Sequence, residues 1–116
     1  MEVKRGDVFI TKLDPVVGVE IRKNRPAVIV QNDPANVEFP TTIVVPLTSI
    51  VPRIIPPDWV LIRTPEGGIK KDSTAITHQI RSVDKSRLLK SIGHLSETSM
   101  KKIDEAIKIA LGLIEL

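Results

Sequence analysis

The stretch Arg22-Lys23-Asn24-Arg25-Pro26-Ala27-Val28-Ile29-Val30-Gln31-Asn32-Asp33 decides how the rest of the chain is read. A basic cluster runs straight into four apolar residues, and the run ends in a polar Gln-Asn-Asp-Pro turn. A short β-branched run bounded by turn signals reads as a strand buried on both faces, here Val28 to Asn32. Arg25 then stands at the mouth of a rigid element. Pro26 fixes its own φ and biases Arg25 towards extended backbone, which partly sets the direction of the guanidinium. A cation held this way suits an anionic ligand; the alternative is a solvated charge at the start of a strand.

On the N-terminal side, Asp7 to Leu13 reads as a first strand, opened by Gly6 and closed by Asp14-Pro15. The long polar connection from Asp14 to Asn24 has the character of a functional loop rather than a hairpin turn. On the C-terminal side, Asp33 to Asn36 reads as a turn. Phe39 reads as a small satellite of the core, with a base-stacking ring as the alternative. Thr41 to Thr48 is a β-branched third strand, and Pro46 places its end at a sheet edge or a bulge. Ser49 to Pro57 is an irregular loop. Asp58 to Ile62 and Asp72 to Ile80 are strands, with a turn at Pro65 to Gly68 between them. Asp84 caps a helical turn through Leu89, and Ser91 to Leu95 forms a last short strand.

Ser96 is an N-cap, and Met100, Ile103, Ile107, Ala110, Leu111 and Ile114 recur at helical spacing, predicting a helix over Glu97 to Leu113. A second stripe of Ala106, Ile109, Leu113 and Leu116 widens the apolar arc beyond what one small domain covers. Burial of that stripe against a second copy, a homodimer, is the simplest solution.

The chain of 116 residues has a hydrophobic fraction of 41% and reads as one domain over 1–116, with a core of Val, Ile and Leu. Without cysteine, neither disulfides nor thiolate metal sites arise. No apolar leader opens the chain, and no apolar run approaches the ~20 residues of a membrane span. A cytoplasmic protein with no membrane contact is the expectation. The net charge of +3 is mildly basic. Position matters more: Arg22, Lys23 and Arg25 form one cluster, Lys70 and Lys71 a second, and Arg81, Lys85, Arg87 and Lys90 a third. Brought together by the fold, they make a groove for nucleic acid or an acidic peptide.

Several chemistries drop out. No HxxxH, HxH or DxD spacing offers metal ligands, no Gly-rich loop cradles phosphate, and no Gly-x-Ser-x-Gly is present. His78 and His94 could form an acid–base pair on RNA, but each reads better as a structural or surface residue. What remains is Arg25 with a hydroxyl, Thr48 or the following Ser49. If the second and third strands are neighbours, Arg25 and Thr48 approach one phosphate from adjacent strand ends. An arginine neutralises charge on a pentavalent phosphorane while a hydroxyl donates to a non-bridging oxygen. RNA carries its own nucleophile, so little else is needed. Arginine is a poor base, which leaves Glu20 as the candidate base.

The residues so far resemble the MazF/PemK family of toxin endoribonucleases from type II toxin–antitoxin pairs. The resemblance runs in order through Arg5-Gly6-Asp7-Val8, Leu13-Asp14-Pro15, Gly18 and Glu20 to Arg25-Pro26, Val28-Ile29-Val30 and Asn32-Asp33. It continues through Pro46-Leu47-Thr48-Ser49, Lys71-Asp72-Ser73, Gln79 to Leu88, and Gly93-His94-Leu95-Ser96. It implies a mainly β domain with a C-terminal helix, the small SH3-like barrel of the CcdB/MazF/PemK plasmid-maintenance toxins, as a homodimer. It also implies cleavage of single-stranded RNA to 2′,3′-cyclic phosphate and 5′-hydroxyl ends, with neither metal nor cofactor. The family's arginine and threonine map onto Arg25 and Thr48 as catalytic residues, with Glu20, Arg22, Lys23, Asn32, Ser49, Gln79 and Arg81 on the RNA. A cognate MazE-like antitoxin would lay an acidic, initially disordered segment over the same groove. Val19 stands where relatives often carry Ser, and Ile21 to Asn24 is unusually basic, so base preference does not carry over. The alternatives are a non-catalytic toxin of the same fold that inhibits DNA gyrase, and a plain RNA- or peptide-binding barrel.

Overall fold

Runs rich in β-branched residues become strands, and the periodic segment after Ser96 becomes a helix. In the computed structural model, which describes residues 1–13 and 24–115, the elements are β1 (Asp7–Lys12), β2 (Asn24–Ile29), α1 (Asp33–Glu38), β3 (Thr41–Thr48), β4 (Trp59–Ile62), β5 (Ser73–Ile76), β6 (Arg81–Asp84), β7 (Leu88–His94) and α2 (Glu97–Ala110). Single 3-10 turns lie at Glu66–Gly68, Thr77–Gln79 and Lys85–Arg87. The strands pair antiparallel in the order β4-β5-β3-β2-β1-β7, with β6 also on β3. Among the described residues no pairing joins β4 to β7, so the expected barrel is an open sheet. No helix among them is long and apolar enough to cross a membrane.

The continuous apolar run of β2 serves both faces of the sheet, as its sequence implies. Val28 joins Val45, Leu47, Ile62 and the α2 residues Met100, Ile103 and Ala106 in the larger core. Ala27 and Ile29 turn the other way, to Phe9, Val44 and Leu88.

The bounds of β2 differ from the expected Val28 to Asn32. Arg25 lies inside the strand, paired with Thr11, and the strand ends at Ile29. Asp33 to Asn36 opens a six-residue helix rather than a turn. The Asn32 side chain accepts from the Ala35 N–H at 2.8 Å, and Pro34 sits in the first turn, where its missing N–H is harmless. Phe39 is 55% exposed, not core. The interior beside α1 is polar: Gln31 Nε2 donates to Asn36 Oδ1 at 2.9 Å, and the Thr42 hydroxyl donates to the same oxygen at 2.8 Å. Phe39 therefore finds no apolar seat there.

β3 is the hub of the sheet, so Pro46 is not on an edge strand. The Val30 N–H bonds the Ile43 carbonyl, so odd positions of β3 turn their backbone groups to β2 and even ones to the other flank. On that flank β6 pairs up to Val44 and β5 begins at Leu47. Pro46 falls in the gap, where a missing N–H costs no ladder bond.

The fifth expected strand ends at Ile76 rather than Ile80, because the chain turns there; the Thr77 hydroxyl donates to the carbonyls of Asp58 and Ala106. β6 escaped the sequence reading because only Val83 of its four residues is buried. Asp84 does cap a turn, accepting from the Ser86 N–H at 2.8 Å, but that turn is Lys85–Arg87, and the last strand starts earlier, at Leu88.

α2 starts as expected, with Ser96 Oγ accepting from the Ser99 N–H at 3.1 Å. It stops at Ala110, short of Leu113. The Leu113 N–H bonds the Lys108 carbonyl at 2.8 Å and the Gly112 N–H bonds that of Ile109 at 3.0 Å, with Gly112 at φ +72°. This is a Schellman ending. Gly112→Ala, which meets no atom within 4 Å, isolates the backbone cost. It is expected to destabilise by about 1 kcal/mol, read as a drop of a few degrees in thermal melting. The second stripe divides: Ala106 is buried within its own domain, Ile109 is half-buried and Leu113 is 70% exposed.

Polar anchors tie α2 to the sheet. Arg5 donates through Nε to the Val30 carbonyl at 3.1 Å and through Nη2 to Asp104, while its N–H donates to Asp33 at 2.7 Å. Glu66 accepts from the Ser96 N–H at 3.0 Å. Burial alone would raise the Glu66 carboxyl. The Ser96 N–H, the Ser99 and Ser96 hydroxyls and Lys102 outweigh it and hold the group below its ordinary 4.5. A carboxylate with a depressed folded-state pKa stabilises above its unfolded value and loses that contribution as pH falls through the folded one. Glu66→Gln is therefore expected to lower stability at neutral pH and to flatten the loss below about pH 4.5. Urea melts from pH 3 to 7 check this.

Candidate active site

The site grows from strand register. β2 and β3 pair as Ile29↔Val44, Val28↔Val45 and Ala27↔Pro46. The paired rungs end there, two residues short of Arg25 on β2 and of Thr48 on β3, so the two residues occupy adjoining strand ends. Arg25 is braced by β1 through Thr11, and Thr48 by β5 through Thr74. Thr48 is 5% exposed, and its Oγ1 accepts from the Ile50 N–H at 3.3 Å. Accepting leaves the hydroxyl proton as a donor.

A cleft of about 370 Å³ opens at these strand ends. Arg25, Lys70 and Lys71 supply its cations, and Ser49 and Ser73 its hydroxyls. Pro26, Leu47 and Ile69 form its apolar surface, and among its described lining residues there is no carboxylate. Arg25 of the first basic cluster thus meets the second. From the third, Arg81 Nη1 donates to the Leu13 carbonyl at 3.2 Å and Arg87 Nη1 to that of Lys12 at 3.3 Å. Both guanidinium groups converge on the end of β1, whose Lys12 pairs with Asn24 beside Arg25.

Of the residues expected at the site, Arg25 and Ser49 line the cleft, Thr48 lies between the lining residues Leu47 and Ser49 without lining it, and Arg81 is bonded to the end of β1. Gln79 closes the Thr77–Gln79 turn, half-buried. Asn32 lies beyond the far end of β2, capping α1. Glu20, Arg22 and Lys23 lie outside the described residues. Lys70, Lys71 and Ser73 went unassigned in the sequence reading; Lys70-Lys71 was visible as a basic pair, but its place beside Arg25 depends on long-range pairing. The histidines are not brought together as an acid–base pair. His78 Nδ1 accepts from Trp59 Nε1 at 3.2 Å, with the rings 21° from parallel, while His94 Nδ1 lies 2.9 Å from Asp7 Oδ1.

The arrangement can neutralise an anion with three cations and donate to it from hydroxyls, and no fixed negative charge among the described lining opposes entry. It defines a small antiparallel β domain with a cationic cleft at its strand ends. The chain belongs to the PemK-like, MazF-like toxin family of type II toxin–antitoxin systems, whose family model matches residues 4–111. It is 43% identical over 115 residues to Endoribonuclease EndoA of Bacillus subtilis (strain 168), covering 99% of each chain. Its fold is that of MazF (Form-I) from Deinococcus radiodurans, with a TM-score of 0.84 at 18% identity over 97% of this chain and 98% of that one. A mycobacterial endoribonuclease in complex with its cognate antitoxin is similar as well, with a TM-score of 0.78 at 24% identity over 98% and 99%.

Proposed function

We propose that this chain is an endoribonuclease toxin that cuts single-stranded RNA at the Arg25 cleft, using the RNA's own 2′-hydroxyl. Family membership and the full-length likeness to an endoribonuclease support the activity. The observation that supports the mechanism is the cleft lined by Arg25, Lys70 and Lys71 with no described carboxylate, at the end of β2 and beside the end of β3 that carries Thr48. The 2′ oxygen bonds phosphorus and the P–O5′ bond breaks, leaving a 2′,3′-cyclic phosphate and a 5′-hydroxyl. Arg25 offsets the charge developing on the non-bridging oxygens, and Thr48 donates a hydrogen bond to one of them. Glu20 is the candidate to accept the 2′ proton, and the guanidinium of Arg25 to serve the departing oxygen. Ser49, Gln79 and Arg81, with Arg22 and Lys23, bind the strand. No metal or cofactor takes part.

A cognate antitoxin inhibits by laying an acidic segment into the same cationic cleft. Two copies of the chain associate through the apolar residues left at the end of α2, where Leu111 and Leu113 are 55% and 70% exposed. The work is done in the cytoplasm, where message is found. Incubation of purified protein with mixed-sequence RNA in EDTA is expected to give discrete fragments; intact RNA at high enzyme would defeat the reading. Elution at twice the chain's mass in size-exclusion chromatography is expected for the dimer.

A further inference from the structure

We infer that Lys70 and Lys71 are positioning residues that hold the RNA phosphate next to the one being cut. The inference rests on reading the Arg25 cleft as the RNA site. It starts from a segment without regular structure that is nevertheless fastened. The Thr64 hydroxyl donates to the Ile69 carbonyl at 2.7 Å, the Thr64 N–H to Asp72 Oδ1 at 2.9 Å, and the Ser73 hydroxyl to the Lys71 carbonyl at 2.9 Å. Ile69, 3% exposed, plugs the larger core from the same segment. Lys70 and Lys71 therefore leave a backbone held on both sides, and both line the cleft.

Among the described residues neither lysine forms an ion pair, and the neighbouring Asp72 is taken by the Thr64 N–H and Arg63. Lys70 and Lys71 line one cleft with Arg25, with no carboxylate among its described lining residues, so the two ammonium groups add to the attraction for an entering anion. Register separates their task from that of Arg25. Thr74 pairs with Thr48, and Lys71 lies three residues before that rung, ahead of the start of β5 at Ser73, so about 10 Å is the most that the chain can separate them. Its backbone lies off the Thr48 rung, and its ammonium serves the neighbouring phosphate. A lysine ammonium is a point charge that carries no base information. The pair then sets how tightly any RNA binds, not which sequence is cut.

The test compares wild type, Lys70→Ala/Lys71→Ala, Lys70→Arg/Lys71→Arg and Arg25→Ala on one RNA with a mapped cut, at several salt concentrations, with thermal melting of each protein. The double alanine variant is expected to raise KM about tenfold with kcat within about twofold, and to cut at the same place. The slope of log kcat/KM against log salt should become shallower by about 0.7, the value for one single-strand phosphate that is no longer neutralised. The double arginine variant should restore both KM and slope. Unchanged KM and slope overturn the inference, as does a fall in kcat alone or a double arginine variant that fails to rescue. Loss of polyglutamate binding with RNA kinetics unchanged assigns the lysines to an acidic peptide and overturns it too. If wild type leaves RNA intact, or Arg25→Ala cuts as wild type does, the reading of the cleft fails and the inference fails with it, by a result distinct from any lysine effect.

Discussion

Arg25→Ala is expected to lower kcat for RNA cleavage by about 10²–10³-fold or more while leaving the melting temperature close to that of wild type. The guanidinium belongs to a half-exposed strand end, and the surrounding core comes from other residues. Its work lies in the transition state, where charge gathers on the non-bridging oxygens, so kcat and kcat/KM should fall together. Arg25→Lys should recover little, because a point charge does not reproduce the planar fork. Thr48→Ala should cost about 10²-fold and, by orphaning the Ile50 N–H, about 1 kcal/mol of stability. Thr48→Ser keeps the hydroxyl and separates the two losses. The double Ala variant should be little worse than Arg25→Ala, since the two groups act on one phosphate. Steady-state kinetics with calorimetry checks the set.

The largest effect on stability is expected at the crossing of β7 with the Glu66–Gly68 turn. A Cβ on Gly93 would stand 2.4 Å from the Gly67 carbonyl carbon and 2.8 Å from the Gly68 nitrogen. A Cβ on Gly68, at φ +76°, would stand 1.9 Å from the Ile92 carbonyl oxygen. Backbone meets backbone in both cases, so no side chain can swing away. Gly93→Ala or Gly68→Ala should cost about 4 kcal/mol or more, a large share of what holds a domain of this size together. Low soluble yield and an early urea midpoint are the expected readouts; a midpoint near wild type would mean the two backbones can separate. The same turn leads into Ile69 to Lys71, so the close crossing also holds one side of the cleft.

How far the sequence could be read depended on whether a feature was local. The alternation of Val28 and Ile29 into opposite clusters and the seating of Met100 and Ile103 under α2 follow from periodicity alone. Arg25 and Thr48 stand out in the sequence because Arg25 opens one apolar run and Thr48 closes the next, and the two strands are neighbours. Two misses had local signals that were weighed wrongly. Asn32-Asp33-Pro34 is a cap followed by a first-turn proline, and Gly112 marks a left-handed helix stop. The others had none. Pro46 is tolerated because the partner of β3 changes beside it, Phe39 is exposed because a polar network occupies the space beside α1, and Lys70-Lys71 reaches Arg25 only through the pairing of β4, β5 and β3.

The most direct test of the mechanism uses an RNA with one mapped cut, and a copy in which only the nucleotide 5′ to that cut carries 2′-hydrogen in place of hydroxyl. Attack by the substrate's own 2′ oxygen predicts that the all-ribose strand yields cyclic phosphate and 5′-hydroxyl ends in EDTA, while the substituted strand binds but stays whole. Cleavage of the substituted strand at that site, or a 5′-phosphate on the product, would mean that water is the nucleophile, contradicting this account of the Arg25–Thr48 cleft.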